Sequence, residues 1–133
     1  MLLKILVTTI AIFVSFSANA IEIKADYKCI VKNASQLTDK GKSEEVESWR
    51  FYVGKEFVVE RNSGVISGEQ FKNNIASIEP TVFDHFVNGY SVVASANEQV
   101  VSYLQVNNFE KSKQKPFILI KTNVVLTGTC LSY

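Results

Sequence analysis

Two hydrophobic patterns divide the chain. Residues 5–16 are an almost unbroken apolar run, behind Met1-Leu2-Leu3-Lys4 and ahead of Ser17-Ala18-Asn19-Ala20. From Ile21 the pattern alternates. Ile23, Ala25, Tyr27, Cys29 and Val31 fall on one parity, and Glu22, Lys24, Asp26, Lys28 and Lys32 on the other, with Ile30 interrupting. Period-two alternation of this length predicts a half-buried strand with Cys29 on its inward face.

Residues 33–48 are polar, with Gly41 and the acids Glu44, Glu45 and Glu47, and read as one long loop. Beyond them Trp49, Phe51 and Val53 alternate, as do Phe57 and Val59. A two-residue turn at Gly54-Lys55 would set Phe51 opposite Val58. A three-residue connection over 54–56 instead gathers Trp49, Phe51, Val53, Phe57 and Val59 on one face. A one-residue slip flips every side chain, and the second register keeps the apolar set together, so it is the one expected. Asn62-Ser63-Gly64 and Gly68 are turn chemistry. Residues 65–81 show no period, and Val65, Ile66, Phe71, Ile75 and Ile78 suit short strands or a helical turn.

Asn88-Gly89 between apolar runs predicts a tight hairpin, because both central residues of a type I′ turn need positive φ. Two-residue closure pairs Val87 with Tyr90, His85 with Val92 and Phe83 with Ala94. A second tight turn at Asn97-Glu98 pairs Ala94 with Val101 and Val92 with Tyr103. One face of this meander then carries Phe83, His85, Val87, Tyr90, Val92, Val101 and Tyr103. After a polar loop over 107–115, two last strands run about Thr122-Asn123, with Phe117, Leu119, Leu126, Gly128 and Cys130 inward. The pattern as a whole predicts one all-β domain over 21–133: an antiparallel barrel or sandwich of about seven to eight strands. With hairpin-connected neighbours and joined ends, an up-and-down barrel or a flattened sandwich is expected.

The apolar opening changes how the cysteines are read. A short basic start, an apolar stretch of a dozen residues and an Ala-x-Ala site form the tripartite layout of an export signal over 1–20. A membrane helix would need roughly 20 apolar residues. No stable membrane span is expected once the signal is cleaved, and the address implied is periplasmic or secreted. Only two cysteines occur, Cys29 and Cys130, and in an exported chain an even count reads as a disulfide. It would join the first and last strands.

Charge narrows the partners. Of 14 basic side chains Lys4 leaves with the signal, so 13 remain against 13 acidic ones. A neutral chain has no electrostatic footprint for nucleic acid or anionic membrane. Candidate catalytic chemistry is sparse, and no catalytic residue is assigned. His85 is the single histidine, which excludes a metal site of two or more imidazoles, and no cofactor motif is present. Asp84 adjoins His85, but neighbours on a strand point to opposite faces. On the expected register His85 pairs instead with Tyr103 across Val92. Glu56 and Glu60 read as solvated strand edges, and Asn33-Ala34-Ser35 as a glycosylation sequon relevant only in a eukaryotic secretory pathway. The candidate binding surface consists of Tyr52 and Phe86, aromatics on faces opposite the core, and of Lys111, Lys113 and Lys115 in the basic loop.

The stretch Phe57-Val58-Val59-Glu60-Arg61-Asn62-Ser63-Gly64-Val65, with Lys115-Pro116-Phe117-Ile118 and Thr127-Gly128-Thr129-Cys130, resembles small uncharacterised exported proteins of Gram-negative bacteria. The resemblance implies a periplasmic address and no activity. The expectation is a non-enzymatic periplasmic binding or accessory protein engaging a protein partner, in an inhibitor-like or immunity-like role, or a small apolar ligand. The alternatives are an envelope hydrolase with His85 as base and a subunit of an envelope assembly.

Overall fold

A computed structural model describes residues 25–73, 79–85, 89–97, 100–108 and 113–133. The export signal expected over residues 1–20 lies outside the described residues. The elements run β1 (Tyr27–Leu37), β2 (Ser43–Glu45), a 3₁₀ helix (Glu47–Tyr52), β3 (Glu56–Val59), β4 (Ile66–Ser67), β5 (Thr81–His85), β6 (Gly89–Asn97), β7 (Val100–Val106), β8 (Lys115–Lys121) and β9 (Val124–Ser132). All pairings are antiparallel and the sheet order is β4-β3-β1-β9-β8-β7-β6-β5, with β2 also paired to β1. The molecule is all-β, an eight-stranded sheet curled into a half-barrel. Read as a ring, the order is an up-and-down meander whose ends meet at β1 and β9. The unpaired seam falls between β4 and β5.

The disulfide forms where the strand parities place it. Cys29 and Cys130 sit directly opposite each other in the β1–β9 ladder, both buried, and their sulfurs are bonded. The β8–β9 register also follows expectation, with Phe117 opposite Gly128 and Leu119 opposite Leu126. Gly128 has a steric reason: a Cβ there would run into the Ile30 carbonyl and the Phe117 ring.

Four expectations are corrected. The polar stretch 33–48 is not one loop: β1 continues to Leu37, and β2 pairs back on Ser35, Gln36 and Leu37. A bulge between Val31 and Asn33 resets the parity, so that Ala34 is the next buried residue. β2 is exposed throughout and leaves no alternation to read. Second, residues 47–52 wind as a 3₁₀ helix, not a strand. β2 covers the far end of β1 and β3 its near end, so the chain between them must travel back along β1. Trp49 and Tyr52, three apart, face the core, whereas Phe51 and Val53 are exposed.

Third, Val82 lies opposite Val92 and Asp84 opposite Tyr90, which turns Phe83 and His85 outward. The connection spans 86–88, outside the described residues, and Gly89 opens β6 at φ +152° instead of completing a two-residue turn. Fourth, a register shift between Ser95 and Asn97 sets Leu104 opposite Val92, so Ser102, Leu104 and Val106 point inward and Val101 and Tyr103 outward. Each reversal is the face flip that an odd slip or a bulge imposes.

The concave side is filled. Tyr27, Phe57, Ile66, Tyr90, Leu104, Leu119 and Leu126 are essentially inaccessible. Phe57 stacks against Phe71 at 4.9 Å and meets Phe117 edge-on at 5.2 Å. Phe71 comes from the stretch whose sequence has no period. The seam is bridged by side chains. Gly64, at φ +74°, lets the 60–65 connection rest on Val82 and Val92, closer than a Cβ would allow. Buried Asn73 accepts from Ile66 N–H and donates to the Gly64 carbonyl, both at 2.8 Å, which satisfies the free edge of β4.

Candidate functional site

Two sites carry polar chemistry. The first is internal, at the end of the half-barrel beside the seam. The Arg61 guanidinium donates to both Asp84 oxygens, at 3.0 and 3.3 Å, and both side chains are 13% exposed. It also lies 5.2 Å from the Tyr27 ring centre and 5.9 Å from that of Tyr90. Tyr90 donates to the Arg61 carbonyl at 2.9 Å, and Tyr27 to Asn108 Oδ1 at 2.6 Å. The Arg61 N–H donates to Asp26 at 3.0 Å. Burial pushes both phenols up, Tyr90 strongly, so they act as neutral donors. This near-dry cluster clamps β5 and β6 to the end of β3.

The second site faces solvent. At the β1 bulge, between the stretches of β1 covered by β3 and by β2, an open cleft of about 430 Å³ is lined by Lys32, Asn33, Ala34, Glu45, Arg50 and Val53. The 3₁₀ helix forms one wall. It is held by the Trp49 indole N–H, which donates to Gln36 Oε1 at 2.9 Å, and by Tyr52 packed 5.6 Å from the Phe71 ring. Val53, 46% exposed, lines the cleft just past the end of the helix, while Phe51, 45% exposed, stands outside the lining, stacked at 4.2 Å on Tyr52. Arg50 pairs with Glu47 at 3.2 Å in full solvent, a contact too exposed to hold it rigidly. The cleft thus combines two cations, one carboxylate and an apolar lip.

The structure distributes the predicted site residues unevenly. Cys29 and Cys130 form the disulfide. Tyr52 is half-buried against the core, and the exposed aromatic of its segment is Phe51, the reverse of the strand reading. Phe86 and Lys111 lie outside the described residues. Lys113 is exposed, while Lys115 opens β8 opposite Cys130 on the inward parity. His85 ends β5 on the outer face and does not pair with Tyr103, whose hydroxyl donates to Gln105 Oε1 at 2.8 Å. Among the described residues no three His, Cys, Asp or Glu side chains converge on a metal-sized point.

Sequence reasoning missed Arg61, Asp84, Arg50 and the cleft. Arg61 lies two residues past Val59, the last core residue of β3, and Asp84 follows Phe83 in a run otherwise without charge. A charged residue within an apolar strand run is the signal that such a pair leaves. No family model, curated protein or solved structure matches the chain.

Proposed function

We propose that this protein is a non-enzymatic binding protein of an oxidising, extracytoplasmic compartment, periplasmic in a Gram-negative cell, and that it engages a protein partner at the β1 cleft. The observation that carries the reading is the open concavity at the β1 bulge, lined by Arg50 and the exposed Val53, with Phe51 held in solvent next to Arg50 on the 3₁₀ helix. An aromatic and an arginine at the edge of a concave surface are the side chains that anchor protein interfaces. The filled half-barrel interior favours a protein partner over an apolar ligand held inside. The buried disulfide is in keeping with the compartment. Affinity capture from envelope extracts tests the proposal. Wild type is expected to retain one stoichiometric protein, lost with Phe51→Ala and with Arg50→Ala but kept with Lys113→Ala. Recovery of no partner, or equal recovery by all three variants, would sink it.

A further inference from the structure

The edge of β1 that faces the cleft is only partly paired. β3 covers it from Tyr27 to Ile30, and β2 from Ser35 to Leu37. Val31 is satisfied on the same edge: its N–H donates to the Lys55 carbonyl at 3.0 Å, and its carbonyl accepts from the Gly54 N–H at 2.8 Å. Beyond the bulge the main-chain directions follow from two bonds. Thr38 N–H donates to the Lys42 carbonyl at 2.7 Å, on the β2 side, and Leu37 N–H to the Asn123 carbonyl at 3.3 Å, on the β9 side. Main-chain groups alternate sides along a strand, so Gln36 and Ala34 both turn toward the β2 edge. The β1–β2 register brings Val46 level with Ala34. There, however, the Val46 carbonyl accepts from the Trp49 N–H at 3.0 Å as the chain enters the 3₁₀ helix. Among the described residues the Ala34 N–H has no acceptor, and it opens into the cleft that Ala34 lines.

The side chains around this N–H are donors as well. Arg50 is tied to Glu47 through Nε, which leaves the donors of its two terminal nitrogens unused. Lys32 has no ion pair among the described residues. One carboxylate, Glu45, shares the lining with these two cations. Resting on the reading of this cleft as the partner site, we propose that the segment it takes from the partner protein is extended and acidic. A carboxylate of that segment meets Arg50 and Lys32, and a neighbouring main-chain carbonyl accepts from the Ala34 N–H. Charge complementarity selects the carboxylate: the lining carries two cations against one anion, and the end of a guanidinium grips a carboxylate through two parallel bonds. The strand edge selects a peptide, because an extended chain adds to an open stretch of sheet edge through its own backbone. The β1 bulge leaves that stretch open, which is a recurrent use of bulges beside functional sites. Val53, 46% exposed, offers an apolar contact to the residue next to the carboxylate.

Titrating the isotope-labelled oxidised protein with acetyl-Val-Glu-Val-amide, followed by its amide resonances, reads this directly. The amides of Lys32, Asn33, Ala34 and Val53 are expected to shift saturably, with Ala34 moving downfield as it gains an acceptor. The Gln counterpart of the peptide is expected to bind about 10-fold more weakly or worse, since it gives up the charge-assisted bonds. Arg50→Gln and Lys32→Gln should each weaken the Glu peptide and shrink its advantage over the Gln peptide, whereas Lys113→Gln should change neither. The same spectra verify that each variant is folded. Equal binding of the two peptides, shifts confined to another part of the sheet, or no saturable shift up to about 10 mM peptide overturns the proposal. So does inorganic phosphate that shifts the same amides as tightly as the Glu peptide, which would make the cleft a site for simple anions. Affinity capture separates this from the reading beneath it. A captured partner that depends on Phe51 and Arg50, beside a silent Glu peptide, overturns the acidic segment alone. A Glu peptide that binds as expected, beside capture of no protein, supports the acidic-peptide site and sinks the stoichiometric partner.

Discussion

Arg61 and Asp84 meet in a fork that is 13% exposed, with two phenol rings beside the guanidinium. Such a pair is costly to break from one side, because the remaining charge stays buried without its counter-ion. Arg61→Ala is expected to lower unfolding stability by about 3–5 kcal/mol, and Arg61→Lys to recover only part, since an ammonium cannot span both carboxylate oxygens. Urea midpoints at constant m-value measure both, and a midpoint for Arg61→Ala within error of wild type would count against the clamp. Tyr90 gives the alkaline limit. Burial, then the nearby Asp84 carboxylate, hold its pKa above the ordinary 10.0. The folded state keeps a proton that the unfolded chain releases, so this contribution is intact below pH 10 and is lost as pH rises. The slope is about 1.4 kcal/mol per pH unit for one tyrosine. Buried Tyr27 and half-buried Tyr52 act in the same direction. Lys121 opposes them: burial lowers its pKa, so its effect raises stability with pH up to 10.5. Stability is expected to fall steeply above about pH 10.5, and more gently in Tyr90→Phe, as followed by urea unfolding between pH 8 and 12.

The 3₁₀ helix is the element on which the cleft depends, and it separates two adjacent aromatics by environment. Tyr52→Ala removes a ring packed on Phe71 and is expected to cost about 3 kcal/mol, whereas Phe51→Ala, at 45% exposure, should change stability by less than about 0.5 kcal/mol. Equal losses would favour a strand. The same segment shows where sequence reading stops. β8–β9 was legible because its turn is tight and its ladder carries no irregularity, so parity alone places Phe117, Leu119, Leu126 and Cys130. In β1 and β6 a single bulge reverses the parity, and nothing in the residue types marks the inserted position. At Trp49-Arg50-Phe51-Tyr52-Val53 a period of two and a period of three coincide over too few residues to be told apart. The cleft is built from the bulge and that helix together, which is why it was the least legible part.

At the scale of the whole molecule, the disulfide ties the two strands that complete the meander, its cysteines 101 positions apart in the sequence. On the chain-entropy model this contributes up to about 4–5 kcal/mol. Cys29→Ala/Cys130→Ala is expected to lose a comparable amount, by denaturant unfolding. Thiol titration of the protein unfolded without reductant should find no free thiol, since the two sulfurs are bonded to each other. The extracytoplasmic reading predicts the same bridge in protein recovered from cells with thiols blocked at lysis.

The meeting of β1 and β9 has a consequence for the order of the chain itself. Tyr133 N–H donates to the Asp26 carbonyl at 3.1 Å, so the first and last described residues of the sheet are neighbours, while the interruption in the ladder lies elsewhere, between β4 and β5. The fold is then a ring cut at one of two interchangeable places. A circular permutant that joins Tyr133 to Ala25 through a short linker, and begins between Asn73 and Glu79, should keep the same sheet. Its cysteines would enclose only about ten residues, and the same chain-entropy model reduces their contribution by about 2 kcal/mol. Comparing oxidised and reduced permutant by denaturant unfolding separates what the bridge does for the ring from what it does for the present ends.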